Sequence, residues 1–379
     1  MIRVIEAISD TNIGGAGMLL LSRLGESDRA RFDTTVILPR GSELCERLAS
    51  IGIKYREIDG CANRSLDLRA IASLYREIKR ASPHILNSHA CLSARIAARL
   101  AGVPAVIQTR HSSFPVSKIY DHRPIRAIVG FASDLLADKT IAVAHVVKSD
   151  LCKMGVRGKD ITVIINGART LHRSSIEDRI KLREKLGIPK NSRVVGICAR
   201  LEKCKDHKTF LLAARLVLQS GRDYRFLIVG EGSERKNLEG LSKKLGIADR
   251  VIFAGFCENV AEYMSIFDIN VNCSVGTETS SLALSEGMSL SLPAVASDYG
   301  GNPYMIQNGV NGFLYPQRDA VSLAKRIIEL ENENLYATFS KNAYERFLSE
   351  LNCARMTRLT EELYKKLLKK RIDRRSMRH

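Results

Sequence analysis

The chain has 379 residues, 45% of them hydrophobic, with 59 Lys and Arg against 41 Asp and Glu for a formal net charge of +18. That length favours two domains over one, and the apolar share supports proper cores rather than bulk disorder. No uncharged apolar run approaches the roughly 18 residues of a membrane span, MIRVIEAIS runs straight into a strand without a cleavable signal pattern, and nine scattered Cys with no Cys-x-x-Cys pair point to the cytoplasm, most of them as small buried apolar residues.

Ile2 to Ile8 reads as a strand, and Asn12-Ile-Gly-Gly-Ala-Gly follows it before an apolar helical run, Met18 to Leu24. Strand, Gly-rich turn and helix form the layout of a nucleotide-binding βαβ unit, although the full dinucleotide spacing of glycines is missing. Gly14 and Gly15 either make a tight turn or let a ligand approach the backbone. Thr34 to Pro39, Ile85 to His89 and Ala105 to His111 read as further strands, with helices around Leu66–Ala81 and Leu92–Leu100 between them. This alternation implies a parallel sheet covered on both faces, whose functional residues gather at the carboxyl ends of strands. His89 and His111 stand there, as satisfied structural imidazoles or as site residues. Two His without a Cys or acid cluster make no metal site, and none is expected.

Ile141 to Ala144 and Ile161 to Gly167 look like the last strands of the first domain, 1–170, with Thr170 to Glu184 as a polar crossover. Arg193 to Arg200 restarts the α/β pattern in a second domain, 171–349. Arg200, at a strand end, and Lys205 can converge on one point above the sheet, as a diphosphate site or as a solvated cluster; Lys203 and Lys208 read as solvated. Phe226–Ser233 and Val251–Phe256 are strands ending in loops, and helices follow Asp319 and span about 332–348.

The most informative stretch runs from Val271 to Met305. Asp268 to Cys273 is a short strand, and Ser280 or Ser281 caps a helix through Leu282, Ser285 and Glu286. The first amides of such a helix attract anions. Glu278 lies in the loop and Glu286 one to two turns inside the helix, where carboxylates suit neutral hydroxyls of a sugar or ribose better than phosphate. Pro293 to Ser297 is the next strand, and Asp298-Tyr-Gly-Gly-Asn a second Gly-rich turn beside the same site.

Charge divides unevenly: residues 1–170 carry net +9, residues 171–345 net +2 and the last 34 residues net +7. The tail from Met356 to Lys370 reads as a basic amphipathic helix with Leu359, Leu363, Leu367 and Leu368 on one side. Lys365-Lys366 and Lys369-Lys370-Arg371, with Arg123, Arg126 and the apolar run Ile125–Phe131, make an anionic membrane surface an expected partner. Aromatic content of 6% with no Trp gives little stacking capacity for single-stranded nucleic acid, which is not expected.

Taken together these residues resemble the retaining, nucleotide-sugar-dependent glycosyltransferases of family four, with the GT-B fold. The resemblance covers nearly the whole chain. It rests on Gly14-Gly15, His111 after the fourth strand, Asn166-Gly167, Arg-Leu-x-x-x-Lys at Arg200–Lys205, Val-Gly-Glu-Gly at 229–232, Phe-x-Gly at 253–255, and Glu278 and Glu286 with Pro293-Ala-Val-Ala after them. It implies an α/β architecture of two Rossmann-like doubly wound domains facing across a cleft, with a C-terminal helix, 350–379, crossing back to the first. It further implies that Arg200, Lys205 and the amides of Ser281 and Leu282 neutralise the donor diphosphate, that Glu286 holds ribose, and that Glu278 holds the transferred sugar. Phe256, after Gly255, would face the base, Gly14 and Gly15 the phosphate, and His111 the anomeric carbon. No cofactor is implied beyond the nucleotide-diphosphate sugar as co-substrate. The expected acceptor is a sugar or lipid-linked envelope polysaccharide, met in the cytoplasm or on the inner face of the cytoplasmic membrane. Ala199, Thr279-Ser280-Ser281 and Ser291 depart from the family's usual glycines and aromatic, which leaves the donor sugar open. The alternatives are a GT-B nucleotide-sugar epimerase, which needs an acid–base pair not evident here, and a non-catalytic basic adaptor.

Overall fold

The computed structural model describes residues 1–113 and 116–376, and the chain divides into two compact units, Met1–Gly167 with the segment from Cys353, and Ala168–Asn352. The first unit alternates β1 (Ile2–Ile8), α1 (Gly15–Gly25), β2 (Phe32–Pro39), α2 (Leu44–Ser50), β3 (Lys54–Ile58), α3 (Leu68–Ala81), β4 (Ile85–His89), α4 (Leu92–Ala101), β5 (Ala105–Arg110), α5 (Arg123–Leu136), β6 (Lys139–Ala142), α6 (His145–Lys153) and β7 (Ile161–Val163). Its sheet is parallel in the order β3-β2-β1-β4-β5-β6-β7. α3 shows why these segments become helices: Ala70, Leu74 and Ile78 recur at helical spacing on the buried face, and Asp67 caps the start by accepting from the Arg69 amide at 3.0 Å. β3 was not legible in the sequence, because KYREI is an edge strand with mostly outward side chains and no apolar run. His111 therefore follows the fifth strand, not the fourth.

The second unit continues with α7 (Ile176–Lys185), β8 (Arg193–Cys198), α8 (His207–Gln219), β9 (Tyr224–Val229), α9 (Arg235–Lys244), β10 (Val251–Gly255), α10 (Val260–Met264), β11 (Ile269–Asn272), α11 (Leu282–Ser289), β12 (Ala294–Ser297), α12 (Asn302–Met305), β13 (Gly312–Tyr315), α13 (Ala320–Glu329) and α14 (Glu333–Arg346). Its six strands are parallel in the order β10-β9-β8-β11-β12-β13. Phe210 and Phe226 meet edge-on in its core, ring centroids 5.6 Å apart. The supposed crossover from Thr170 contains α7, a charged and mostly exposed helix that Ser175 caps by accepting from the Asp178 amide at 3.1 Å.

A π-helical turn, Phe347–Leu351, leads to α15 (Cys353–Ser376), which returns to the first unit and lies against α1. Glu361 accepts from the Ser27 hydroxyl at 2.8 Å and the Asp28 amide at 3.0 Å, and Arg371 pairs with Asp138. Leu363 and Leu367 are buried and Leu359 and Leu368 half-buried, so the apolar stripe of α15 is spent on this unit's own core. Lys366, Lys369 and Lys370 remain exposed. Positions 377–379 of the expected tail helix lie outside the described residues.

All nine Cys are free; Cys61, Cys91, Cys273 and Cys353 are buried, while the other five are half-buried near element ends, fewer inside than composition suggested. Among the described residues no helix is long and apolar enough to cross a membrane. In both sheets the strand order reverses next to the first strand, between β1 and β4 and between β8 and β11. Doubly wound sheets bind ligands just beyond the strand ends at such a point.

Candidate functional site

In the second unit the loop after β8 lies on the turn after β9. The Leu201 amide donates to the Glu231 carbonyl and the Glu234 amide to the Leu201 carbonyl, both at 2.9 Å. A Cβ on Gly232 would overlap the Leu201 backbone, and one on Gly230, at φ +140°, would overlap the Ala199 carbonyl. Gly-Glu-Gly thus exists for a close backbone approach, and it holds Arg200 at the surface. The Arg200 guanidinium is exposed, with no partner among the described residues.

Lys205 is placed differently. Its Nζ donates to Glu278 Oε2 at 2.7 Å and to Ser274 Oγ at 3.2 Å. Glu278 is 7% exposed, and the same Oε2 accepts from Ser274 Oγ at 2.7 Å and Asn272 Nδ2 at 3.4 Å. Separate roles were expected for Lys205 and Glu278; the structure joins them as an ion pair, because a carboxylate this buried needs a cation. Oε1 of Glu278 makes no hydrogen bond among the described residues and is the oxygen left for a ligand hydroxyl.

Of the two cap candidates, Ser281 opens α11: its Oγ accepts from the Leu284 amide at 3.3 Å and from Asn272 Nδ2 at 3.0 Å. Among the described residues the amides of Ser281 and Leu282 have no backbone partner, as a first helical turn leaves them. Ser280 Oγ is buried, with no hydrogen-bond partner among the described residues. The Gly300-Gly301 turn fastens the Glu278 loop from the other side: the Gly301 amide donates to the Glu278 carbonyl at 3.1 Å, and a Cβ at either glycine would overlap the carbonyls of Glu278 or Thr279. Inside α11, the Glu286 carboxylate has no partner among the described residues, and burial pushes its pKa up to about 7. Phe256, just past β10, is 73% exposed. Ser291 holds a left-handed φ of 59°, which accounts for the glycine usual there.

In the first unit Gly14 caps α1 at φ −90°, and a Cβ on Gly14 or Gly15 would meet nothing within 4 Å. Neither turn geometry nor packing requires glycine there; open space above the helix start is what the pair provides. His111 Nε2 lies 2.7 Å from His89 Nδ1, and His89 Nε2 lies 2.7 Å from Glu6 Oε2. Glu6 also pairs with Arg23 and accepts from the Tyr364 hydroxyl at 2.8 Å. Burial, then the neighbouring His89, pushes the His111 pKa down to about 3, so it is neutral. A cavity of about 30 Å³ beside this network has room for a water molecule and not for a sugar. Glu6, Arg23 and Tyr364 were missed from sequence; the available signal was a Glu inside the apolar strand IRVIEAI and an Arg inside an apolar helix. Among the described residues no three of His, Cys, Asp and Glu gather as a metal site.

Residues 13–170 match the family described as Glycosyltransferase Family 4, and residues 178–346 match Glycosyl transferases group 1. The chain is similar to the UDP-Gal:alpha-D-GlcNAc-diphosphoundecaprenol alpha-1,3-galactosyltransferase of Escherichia coli, 26% identical over 88% of this chain and 89% of that protein. It is likewise similar to the N-acetyl-alpha-D-glucosaminyl L-malate synthase of Bacillus anthracis, 28% identical over 74% of this chain and 75% of that one. Among solved structures it resembles a glycosyltransferase from Rickettsia africae, with a TM-score of 0.83 at 19% identity over 97% of this chain and 99% of the other. It also resembles Anabaena Alr3699/HepE in complex with UDP, with a TM-score of 0.82 at 23% identity over 97% and 100%.

Proposed function

Because the chain belongs to glycosyltransferase family 4, we propose that it moves a hexosyl group from a nucleoside-diphosphate sugar to a sugar or lipid-linked acceptor of envelope polysaccharide, retaining the anomeric configuration and using no metal. The observation that carries this reading is the cluster beyond β8 and β11: an exposed Arg200, the Lys205–Glu278 pair, the open amides heading α11, and an unpartnered Glu286 within it. The name of the Escherichia coli relative adds a UDP donor and a diphosphoundecaprenol acceptor.

As the bond from the anomeric carbon to phosphate breaks, charge collects on the leaving diphosphate. Arg200, Lys205 and the amides of Ser281 and Leu282 stabilise it in a fixed array, which lowers the barrier without reorganisation. Glu278 Oε1 accepts from hydroxyls of the transferred sugar, Glu286 from the ribose hydroxyls, and Phe256 covers the base. Gly14 and Gly15 leave the start of α1 open to phosphate, and His111 meets the sugar. The acceptor oxygen bonds to the anomeric carbon on the face the phosphate leaves, and its proton passes to a phosphate oxygen. A thermal-shift screen of nucleotide-sugars should single out one donor, which stabilises by mass action. NMR of the product should show the donor's configuration kept, with turnover unchanged by EDTA. An inverted product, or chelator loss restored by Mg²⁺ or Mn²⁺, would sink the corresponding claim; an epimerised donor with no transfer would favour the epimerase.

The site of action proposed is the inner face of the cytoplasmic membrane. α5 buries only Gly130 and leaves Ile128, Phe131 and Leu135 more than half exposed beside Arg123 and Arg126, while Lys366, Lys369 and Lys370 of α15 are exposed. Charge near an anionic surface contributes about 1 kcal/mol per residue. Sedimentation with anionic vesicles should exceed that with neutral ones, collapse at high salt, and fall in Ile128→Glu/Phe131→Glu and in Lys366→Glu/Lys369→Glu. Equal sedimentation with both vesicle types, or none, speaks against membrane contact and leaves the transfer reaction standing.

A further inference from the structure

A separate cluster of charge lies at the opposite end of the first sheet from His89 and His111. A cavity of about 440 Å³ opens there, where β5 starts at Ala105, β6 at Lys139 and β7 just after Asp160. Small-molecule sites span roughly 300–1,000 Å³. The three strands run parallel, so these are their amino ends. His111 follows the carboxyl end of β5, about 20 Å away along the strand. The end of α5 supplies Asp134 and Ala137 to the wall, and α15 supplies Leu367, Lys370 and Arg371.

Charge on this wall does not balance. Each Asp is matched by Arg: Asp134 and Asp160 by Arg157 at 3.1 and 2.8 Å, and Asp138 by Arg99 at 3.1 Å and by Arg371. The lysines are left over. Lys139 Nζ donates to the Lys159 carbonyl and stands 3.9 Å from Asp160, too far for a hydrogen bond. Lys159 and Lys370 are exposed and make no ion pair among the described residues, and Lys366 lies one turn before Lys370 on α15. Burial lowers the Lys139 pKa first, Asp160 opposes it, and Lys370, Lys366 and Lys159 lower it further, so four ammonium groups share one field. Lysines on a convex surface spread into solvent. Around a concave wall they converge, and the repulsion between them is relieved by an anion.

We propose that this cavity is a second phosphate site, separate from the donor diphosphate site, in which Lys139, Lys159 and Lys370 hold one phosphate group as point charges. The three Asp stay with their Arg partners and do not repel it. Two sources present that chemistry, a glycerophospholipid headgroup and a soluble phosphate ester, and α5 argues for the lipid. This helix runs from the carboxyl end of β5 to the amino end of β6, with Ile128, Phe131 and Leu135 exposed along it and Leu135 next to the cavity residue Asp134. A bilayer lying along α5 would bring headgroups to the cavity mouth. The lipid source rests on the proposed membrane contact; the phosphate site does not.

Lysine acetylation of the full chain by acetic anhydride, read by mass spectrometry, locates the site. The probes are sn-glycerol 3-phosphate and phosphatidylcholine vesicles carrying phosphatidylglycerol, with vesicles carrying the same surface charge as oleate for comparison. Lys159 and Lys370 should be protected while the exposed Lys79 and Lys190 react as before. Lys159→Ala/Lys370→Ala removes two exposed side chains and keeps the carbonyl that Lys139 uses, so it should fold. It should weaken the protecting probe about tenfold to thirtyfold. Lys79→Ala/Lys190→Ala removes the same net charge elsewhere and should change binding by no more than about twofold, since distant charge is screened. Protection by vesicles alone, with phosphatidylglycerol preferred over oleate, assigns a lipid headgroup; protection by the soluble ester as well assigns any phosphate ester. Protection by neither probe overturns the site. Vesicle binding that follows surface charge alone, with equal losses in both double variants and no protection by the ester, overturns the site and leaves membrane contact standing. Protection by the ester without vesicle binding keeps the site and removes the membrane.

Discussion

Lys205→Ala is expected to lose both nucleotide affinity and stability, whereas Arg200→Ala should lose affinity alone. Each removes a charged hydrogen-bond donor from the proposed diphosphate site, which costs about 1.5–3 kcal/mol, roughly 10- to 150-fold in UDP affinity. Lys205 is also the cation that balances the buried Glu278. Its loss leaves that carboxylate with only Ser274 and Asn272, at about 1–3 kcal/mol in unfolding free energy. The figure stays below that for a fully buried pair because the Lys205 side chain is 21% exposed. Arg200 is exposed and has no partner among the described residues, so its removal should change stability by no more than about 0.5 kcal/mol. Glu278→Gln should impair sugar transfer while leaving UDP affinity intact or raised, since it releases Lys205. The double variant Lys205→Ala/Glu278→Gln should regain stability but not affinity. Urea melts and calorimetric UDP titrations decide this, and matching stability losses in Arg200→Ala and Lys205→Ala would show that the ion pair carries no weight.

Donor affinity should rise with pH from about 6 to 8, and Glu286→Gln should abolish that rise. Burial without a partner holds the Glu286 pKa at about 7, so much of the free protein carries it protonated below neutrality. Ribose hydroxyls need the carboxylate as acceptor, so ionisation favours binding. Stability of the free protein runs the other way. The folded value lies above the ordinary 4.5, so the native state binds the proton more tightly, and stability is lost as pH climbs from about 4.5 to about 7, then levels off. Glu286→Gln should flatten this slope and, at pH 8, weaken donor binding by about 1.5–3 kcal/mol. Comparing parent with variant at each pH cancels the nucleotide's own titration. A pH-independent difference in affinity would remove Glu286 from the ribose site.

What the sequence determined by itself was everything governed by neighbours along the chain. The strand–helix alternation, a serine cap at 280 or 281, the placement of Glu278 and Glu286 around the head of one helix, and the Gly-Glu-Gly turn follow from periodicity, capping and backbone sterics within a few residues. β3 was lost because an edge strand with polar outward side chains leaves no such local trace. Strand order was decided only in three dimensions, and it is strand order that sets β1 beside β4 and β8 beside β11, with the candidate residues at both reversals. The partners of buried charge were likewise decided by the fold. Lys205 finds Glu278 73 residues away, and Tyr364 reaches Glu6 across 358. A carboxylate inside an apolar strand announces that some compensating group must exist, since leaving it unpaired costs several kcal/mol. Which group supplies that compensation depends on which helix packs over the strand, and that is a property of tertiary structure.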